Sequence, residues 1–100
     1  MKQNILTIEH VVKLIRLLQI SLFKKGLDDT PDENPCIEYT ENIYILVKGS
    51  LKYLSQHEMW DTIYNDIKNV KTMVGENYMN ITNKVRFRHM DLLDIINNNM

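Results

Sequence analysis

A chain of 100 residues, with 12 Lys and Arg against 13 Asp and Glu and a net charge of -1, has room for one hydrophobic core. It has no excess charge with which to hold a nucleic acid or a polybasic membrane anchor. The single cysteine, Cys36, excludes an internal disulfide and a multi-cysteine zinc site, and makes a reducing, cytoplasmic compartment the expectation.

The opening Lys2, Gln3 and Asn4 lack the order of a secretory signal, so no export is expected. From Thr7 to about Lys25, Ile8, Val11, Val12, Ile15, Leu18 and Leu22 recur at three- and four-residue steps, which predicts an amphipathic helix with Gly26 as its stop. Lys13, Arg16 and Gln19 interrupt its apolar run short of the ~18 to 20 residues of a membrane span, so no membrane association is expected. The segment LDDTPDENPC then combines acids with two prolines and predicts an exposed acidic loop over about 27–38, with 28–33 as its most disordered part.

Thr40 is the expected N-cap of a second helix, with Glu41 in its first turn and Ile43, Leu46, Val47, Ser50, Leu51 and Leu54 as its stripe. Ser55 to Glu58, SQHE, has the spacing of a capping box and predicts that a third helix begins there, forming an antiparallel hairpin with the second. Its stripe is Trp60, Ile63, Tyr64, Ile67, Val70 and Val74, with Gly75 as a left-handed terminator. Thr82 is the expected cap of a fourth helix carrying Val85, Leu92, Leu93, Ile95 and Ile96, which Asn97 to Asn99 end. The fold class is therefore all-α over 1–100, a single helical domain or part-domain. Its antiparallel hairpins form either a HEAT-like stack or a closed four-helix bundle. An open stack should leave an apolar flank on the first helix, through which copies can associate, and a closed bundle should not.

Few residues have the spacing that chemistry requires. His10, His57 and His89 have no carboxylate or thiol at metal-ligand spacing, so no metal site is expected. Cys36 sits in no nucleophile motif, and Asp91 and Asp94, three apart, read as a solvated edge. With glycine only at positions 26, 49 and 75 there is no phosphate loop. No cofactor is expected, and the chain is read as not an enzyme. Trp60, Tyr64 and Tyr53 have the chemistry to stack on RNA bases, but the helical spacing of Trp60 and Tyr64 places both on the core stripe. Along NKVRFRHMDLLDI, Lys84 and Arg86 form either a solvated face or a basic edge for an acidic partner or, weakly, RNA. Arg88 and Asp91 are spaced for an intrahelical ion pair. Phe87 is either an aromatic contact for a partner or, the plainer reading, packed on a second neighbouring helix.

NKVRFRHMDLLDI resembles the last-helix signature of the middle domain of eukaryotic initiation factor 4G. Lys84, Val85, Arg86, Phe87, Asp91, Leu93, Asp94 and Ile95 fall at matching places. Upstream, ENIYILVKGSLKYL is similar to another helix of that family at Glu41, Leu46, Val47, Lys48 and Leu54, so the resemblance covers about residues 40 to 97. The chain departs from the pattern at Arg88 and His89, which stand where apolar residues are usual, and at Leu51, where glycine is preferred. It also supplies only about two of the family's several hairpins. The resemblance implies a non-enzymatic scaffold of translation initiation that binds a DEAD-box RNA helicase of the factor 4A type. Lys84, Arg86, Phe87, Asp91 and Asp94 are the implied contact edge. A self-contained helical adaptor, viral or bacterial and unrelated to RNA, is the competing expectation.

Overall fold

The computed structural model describes residues 7–28 and 30–99; the Lys2 to Asn4 opening, Asp29 of the acidic loop and Met100 lie outside the described residues. The order is α1 (Ile8–Gly26), α2 (Asn34–Leu54), α3 (Trp60–Val70), a single 3-10 turn (Glu76–Tyr78) and α4 (Asn83–Asn98). The chain is all-α, built of antiparallel helical hairpins.

Thr7 starts α1 as the spacing predicts: its backbone is extended and its Oγ1 accepts the His10 N–H at 3.3 Å. Val11, Val12, Ile15 and Leu22 are buried, and Ile8 and Leu18 are half-buried. Gln19 is buried too, although it breaks the apolar pattern. Its Nε2 donates to the Ile63 carbonyl at 3.1 Å, and its Oε1 accepts from Arg16, whose guanidinium also reaches Asp66 at 2.5 Å. This polar tie joins α1 to α3. Gly26 is the last residue of α1, and Ile81 packs against it so closely that a Cβ there would stand 2.7 Å from Cδ1 of Ile81.

The second helix begins at Asn34, six residues before the expected Thr40 cap. Pro35 falls in the first turn, where its missing N–H is one of the orphan donors and its fixed φ suits the helix, so proline admits the helix here. Thr40 consequently lies inside α2, only 2% exposed, and Glu41 is two turns from the helix start. What remains of the acidic loop is short, and its described residues Asp28, Thr30 and Asp32 hydrogen-bond to Asn80. Asn80 Nδ2 donates toward the carbonyls of Lys25 (3.1 Å), Asp28 (3.3 Å) and Thr30 (3.0 Å), and its Oδ1 accepts the Asp32 N–H at 2.8 Å. The Asp28 carboxyl accepts the Thr30 N–H and pairs with Lys25, which together hold its pKa below the usual carboxylate range.

The expected capping box at Ser55 does not form. Ser55 is the C-cap of α2 and donates its hydroxyl to the Lys52 carbonyl, while α3 begins five residues later at Trp60, where the His57 Nδ1 accepts the Met59 N–H. The third helix also stops early, at Val70, so Val74 lies in the connector and is 62% exposed. Gly75 has φ 107° and ψ -173°, which serves the turn leading to Glu76 rather than a helix terminator.

The hairpins are α1 with α2 and α3 with α4, stacked so that α2 lies along α4 and, more slightly, α1 along α3. The expected pairing of α2 with α3 is not made: that corner joins one hairpin to the next. The four helices, packed as a bundle or hairpin stack, measure 46 × 28 × 20 Å around a core that includes Ile15, Leu22, Ile43, Leu54, Ile63, Ile67 and Leu92. An apolar flank is left on it, formed by Leu14 (40% exposed), Leu17 (62%) and Ile20 (53%) of α1 with Ile45 (63%) of α2. No helix among the described residues is long and apolar enough to cross a membrane.

Candidate partner-binding groove

Thr82 occupies the N-cap position of α4 in an extended conformation, but its hydroxyl is buried without a hydrogen-bond partner and does not cap the helix. From there the run Val85 to His89 distributes its side chains in four directions. Val85 and His89 face the core, and His89 is only 2% exposed, its Nδ1–H donating to the Val85 carbonyl at 2.9 Å. Burial pushes its pKa down, so the ring is held neutral, while the hydrogen bond to Val85 opposes that shift. His89 thus occupies a core position as a neutral ring.

Arg86 turns back under the helix. It donates to the carbonyls of Met73 (2.9 Å) and Ile81 (2.6 Å) and to Asn83 Oδ1, clamping the connector between α3 and α4. Arg88 turns toward α2. It makes a two-pronged contact with Glu41, Nε to Oε2 at 2.9 Å and Nη2 to Oε1 at 3.0 Å, and its guanidinium lies 4.1 Å from the centre of the Tyr44 ring. The hydrogen bond to Glu41 raises the Arg88 pKa further. The expected pair with Asp91 exists at 4.0 Å and is the looser of the two. Phe87 points outward and is 58% exposed. With α2 on one side of α4 and α3 on the other, no further helix among the described residues covers it, and the expected packing on a neighbouring helix is not made among them.

Lys84, Phe87, Arg88 and Asp91 are spaced i, i+3, i+4 and i+7, so one face of α4 carries them all. With Ile37 and Thr40 of α2 they line a groove of about 340 Å³ between the two helices. Its wall is mostly apolar, with Lys84 and Asp91 as charges of opposite sign and the Arg88–Glu41 pair bracing α2 against α4. The Thr40 hydroxyl, beneath this surface, is buried and has no hydrogen-bond partner.

Of the five residues expected at a contact edge, the structure therefore brings Lys84, Phe87 and Asp91 together. Arg86 is committed to the connector, and Asp94, exposed on the next turn, is outside the groove. The lining residues missed from sequence, Ile37 and Thr40, fell in the segment read as loop and cap. Starting the helix at Pro35 puts Ile37, Thr40, Glu41 and Tyr44 on one face, and that spacing was the available signal.

The remaining candidates are dispersed. Trp60 stacks on Tyr64 with ring centres 5.7 Å apart, and Trp60 is buried, so this pair is core as expected. Tyr53, in contrast, is 63% exposed. Cys36 is fully buried, and desolvation pushes its thiol up to about 11. His57 contacts Glu9 at 2.7 Å and His10 contacts Thr7, while His89 contacts the Val85 carbonyl. Among the described residues no group of three or more His, Cys, Asp or Glu is placed to hold a metal ion. Comparisons with protein families, with curated proteins and with solved structures find no match to this chain.

Proposed function

We propose that this chain is a non-enzymatic scaffold module of cytoplasmic translation initiation, and that its partner is a DEAD-box RNA helicase of the factor 4A type, held at the groove between α2 and α4. The observation that carries the reading is Phe87, a large aromatic side chain 58% exposed at the rim of that groove between Lys84 and Asp91. Aromatic anchors ringed by polar groups dominate the energy of protein interfaces, and Phe87 has that setting. Lys84 and Asp91 beside it set orientation through complementary charge. The choice of a helicase as partner rests on the resemblance over residues 40 to 97, together with the hairpin architecture that it implies.

Such a scaffold acts by population shift. It favours one arrangement of the two helicase lobes only to the extent that it binds that arrangement more tightly than the others. No bond is made or broken by the scaffold.

The test is calorimetric titration of purified factor 4A into the wild-type chain, Phe87→Ala, and the double reversal Lys84→Glu with Asp91→Lys. The substituted side chains are exposed, so circular dichroism should be unchanged. Phe87→Ala should weaken binding by about tenfold or more, the loss of an interface anchor. Undiminished affinity in both variants, or a folded wild type that does not bind, would refute the reading. Arg86 is unsuitable for this test because its removal disturbs the connector.

A further inference from the structure

The apolar flank formed by α1 and α2 is on a different surface from the α4 groove, and nothing in the scaffold reading uses it. Leu14, Leu17 and Ile20 form a ridge along α1 between two shallow grooves. One, of about 490 Å³, is walled by Val12, Leu17, Ile20 and Met59; the other, of about 480 Å³, by Leu14, Leu18, Ile45 and Leu46.

We propose that this flank is a self-association surface, on which a second copy of the chain docks with its α1 antiparallel to the first and the two-fold axis at Leu17. Across a two-fold axis a surface meets its own copy, so a ridge of three aliphatic side chains presents an apolar strip to an apolar strip. An antiparallel crossing centred on Leu17 sets Leu14 against Ile20 of the second copy and Ile20 against Leu14. The ends of α1 favour the same direction. Glu9 lies in its first turn and Lys24 in its last, so the antiparallel arrangement brings the acidic end of each copy to the basic end of the other and opposes the two helix dipoles.

The rim also fits a like partner better than a strongly charged one. The first groove is lined by both Glu9 and Glu58 and Lys13 and Arg16, a mixture of signs that a second copy shares and that a polyacid or polycation does not. The fractional exposures of Leu14, Leu17, Ile20 and Ile45 sum to about two whole aliphatic side chains. That is roughly 400 Å² of apolar surface per copy, the size of the largest patch on a typical monomer, which is often functional. The two copies together bury roughly 800 Å² of this apolar surface, below the ~1,200 Å² of standard specific interfaces, so the dimer should be weak and dependent on concentration.

Sedimentation of the full chain from roughly 1 to roughly 500 µM is the first measurement. The mean mass should rise from 11.9 kDa toward twice that value. Leu17→Glu sets two carboxylates face to face on the axis and should hold the chain monomeric at every concentration. Its fold should persist, since Leu17 is 62% exposed. Register is read with Leu17→Cys, which should give a covalent dimer on treatment with diamide, the two thiols giving up two hydrogens to the reagent. Ile45→Cys, off the axis, should cross-link far less. Cys36 is fully buried and does not interfere. A wild type that stays monomeric throughout, whatever else that flank binds, overturns the proposal. So does a dimer that survives Leu17→Glu, and so does one lost in Phe87→Ala, which would move the interface to the α4 groove.

Discussion

Two glycine-to-alanine substitutions separate backbone propensity from close packing. In a helix interior alanine is favoured over glycine by about 1 kcal/mol, and either substitution reduces the freedom of the unfolded chain by the same amount. At Gly49, in the middle of α2, an added Cβ meets nothing within 4 Å. Gly49→Ala should therefore stabilise the fold by up to ~1 kcal/mol. At Gly26 the added Cβ stands 2.7 Å from Cδ1 and 2.8 Å from Cγ1 of Ile81, well inside the ~3.5 to 4.0 Å of carbon contact. Ile81 has little room to retreat: it is 2% exposed, its N–H donates to the Tyr78 carbonyl at 2.9 Å, and its carbonyl accepts Arg86 at 2.6 Å. Overpacking of this kind costs ~1 to 3 kcal/mol, which outweighs a propensity gain that is reduced at the last residue of a helix. Gly26→Ala should thus lose about 1 to 2 kcal/mol. In urea, with a slope near 1 kcal/mol per molar, the two midpoints should move in opposite directions, up by at most ~1 M for Gly49→Ala and down by ~1 to 2 M for Gly26→Ala. If both variants rise together, Ile81 yields freely and the close approach does not explain the glycine.

Asn80→Ala should cost about 3 kcal/mol, one net hydrogen bond for each of its two N–H donors and one for its carbonyl oxygen, measured by urea unfolding. Faster hydrogen exchange at the Asp32 amide should accompany it, and a loss below ~1 kcal/mol would mean the loop is held by other contacts. His89 carries a sign as well as a size. Its folded pKa is depressed, so the unfolded chain takes up a proton near 6.5 while the folded chain does not, and its contribution is complete above that pH and is lost as pH falls. Wild-type stability should therefore drop between pH 7 and pH 5 by more than that of His89→Leu, and parallel curves would show that the histidine charges freely in the fold.

Part of the molecule was legible because helical periodicity is local. The cap at Thr7, the stripe of α1, the apolar faces of α3 and α4, and the core placement of Trp60 and Tyr64 follow from the spacing of residues within one segment. The errors fell where one residue type serves two structures. Pro35 was read as a breaker, yet in a first turn it costs nothing, and the misplaced start of α2 hid Ile37 and Thr40 from the groove. Ser55 and Glu58 match a capping box in spacing, but the hydroxyl goes to the end of the preceding helix. His89 looked like part of a polar run and is a neutral core residue.

The amino-acid sequence by itself determined that the chain is helical, with one core and a mixed surface, because amphipathic spacing and near-zero net charge are properties of the string. It also marked α4 as the helix with an aromatic and charged edge. Only the tertiary structure decided which helices pair, that Asn80 holds a loop some fifty residues away, that Arg86 clamps a connector while Arg88 braces α2, and that Phe87 is left in water. Those outcomes depend on what arrives opposite a side chain from a distant part of the chain, and a local pattern carries no record of its neighbour across the core.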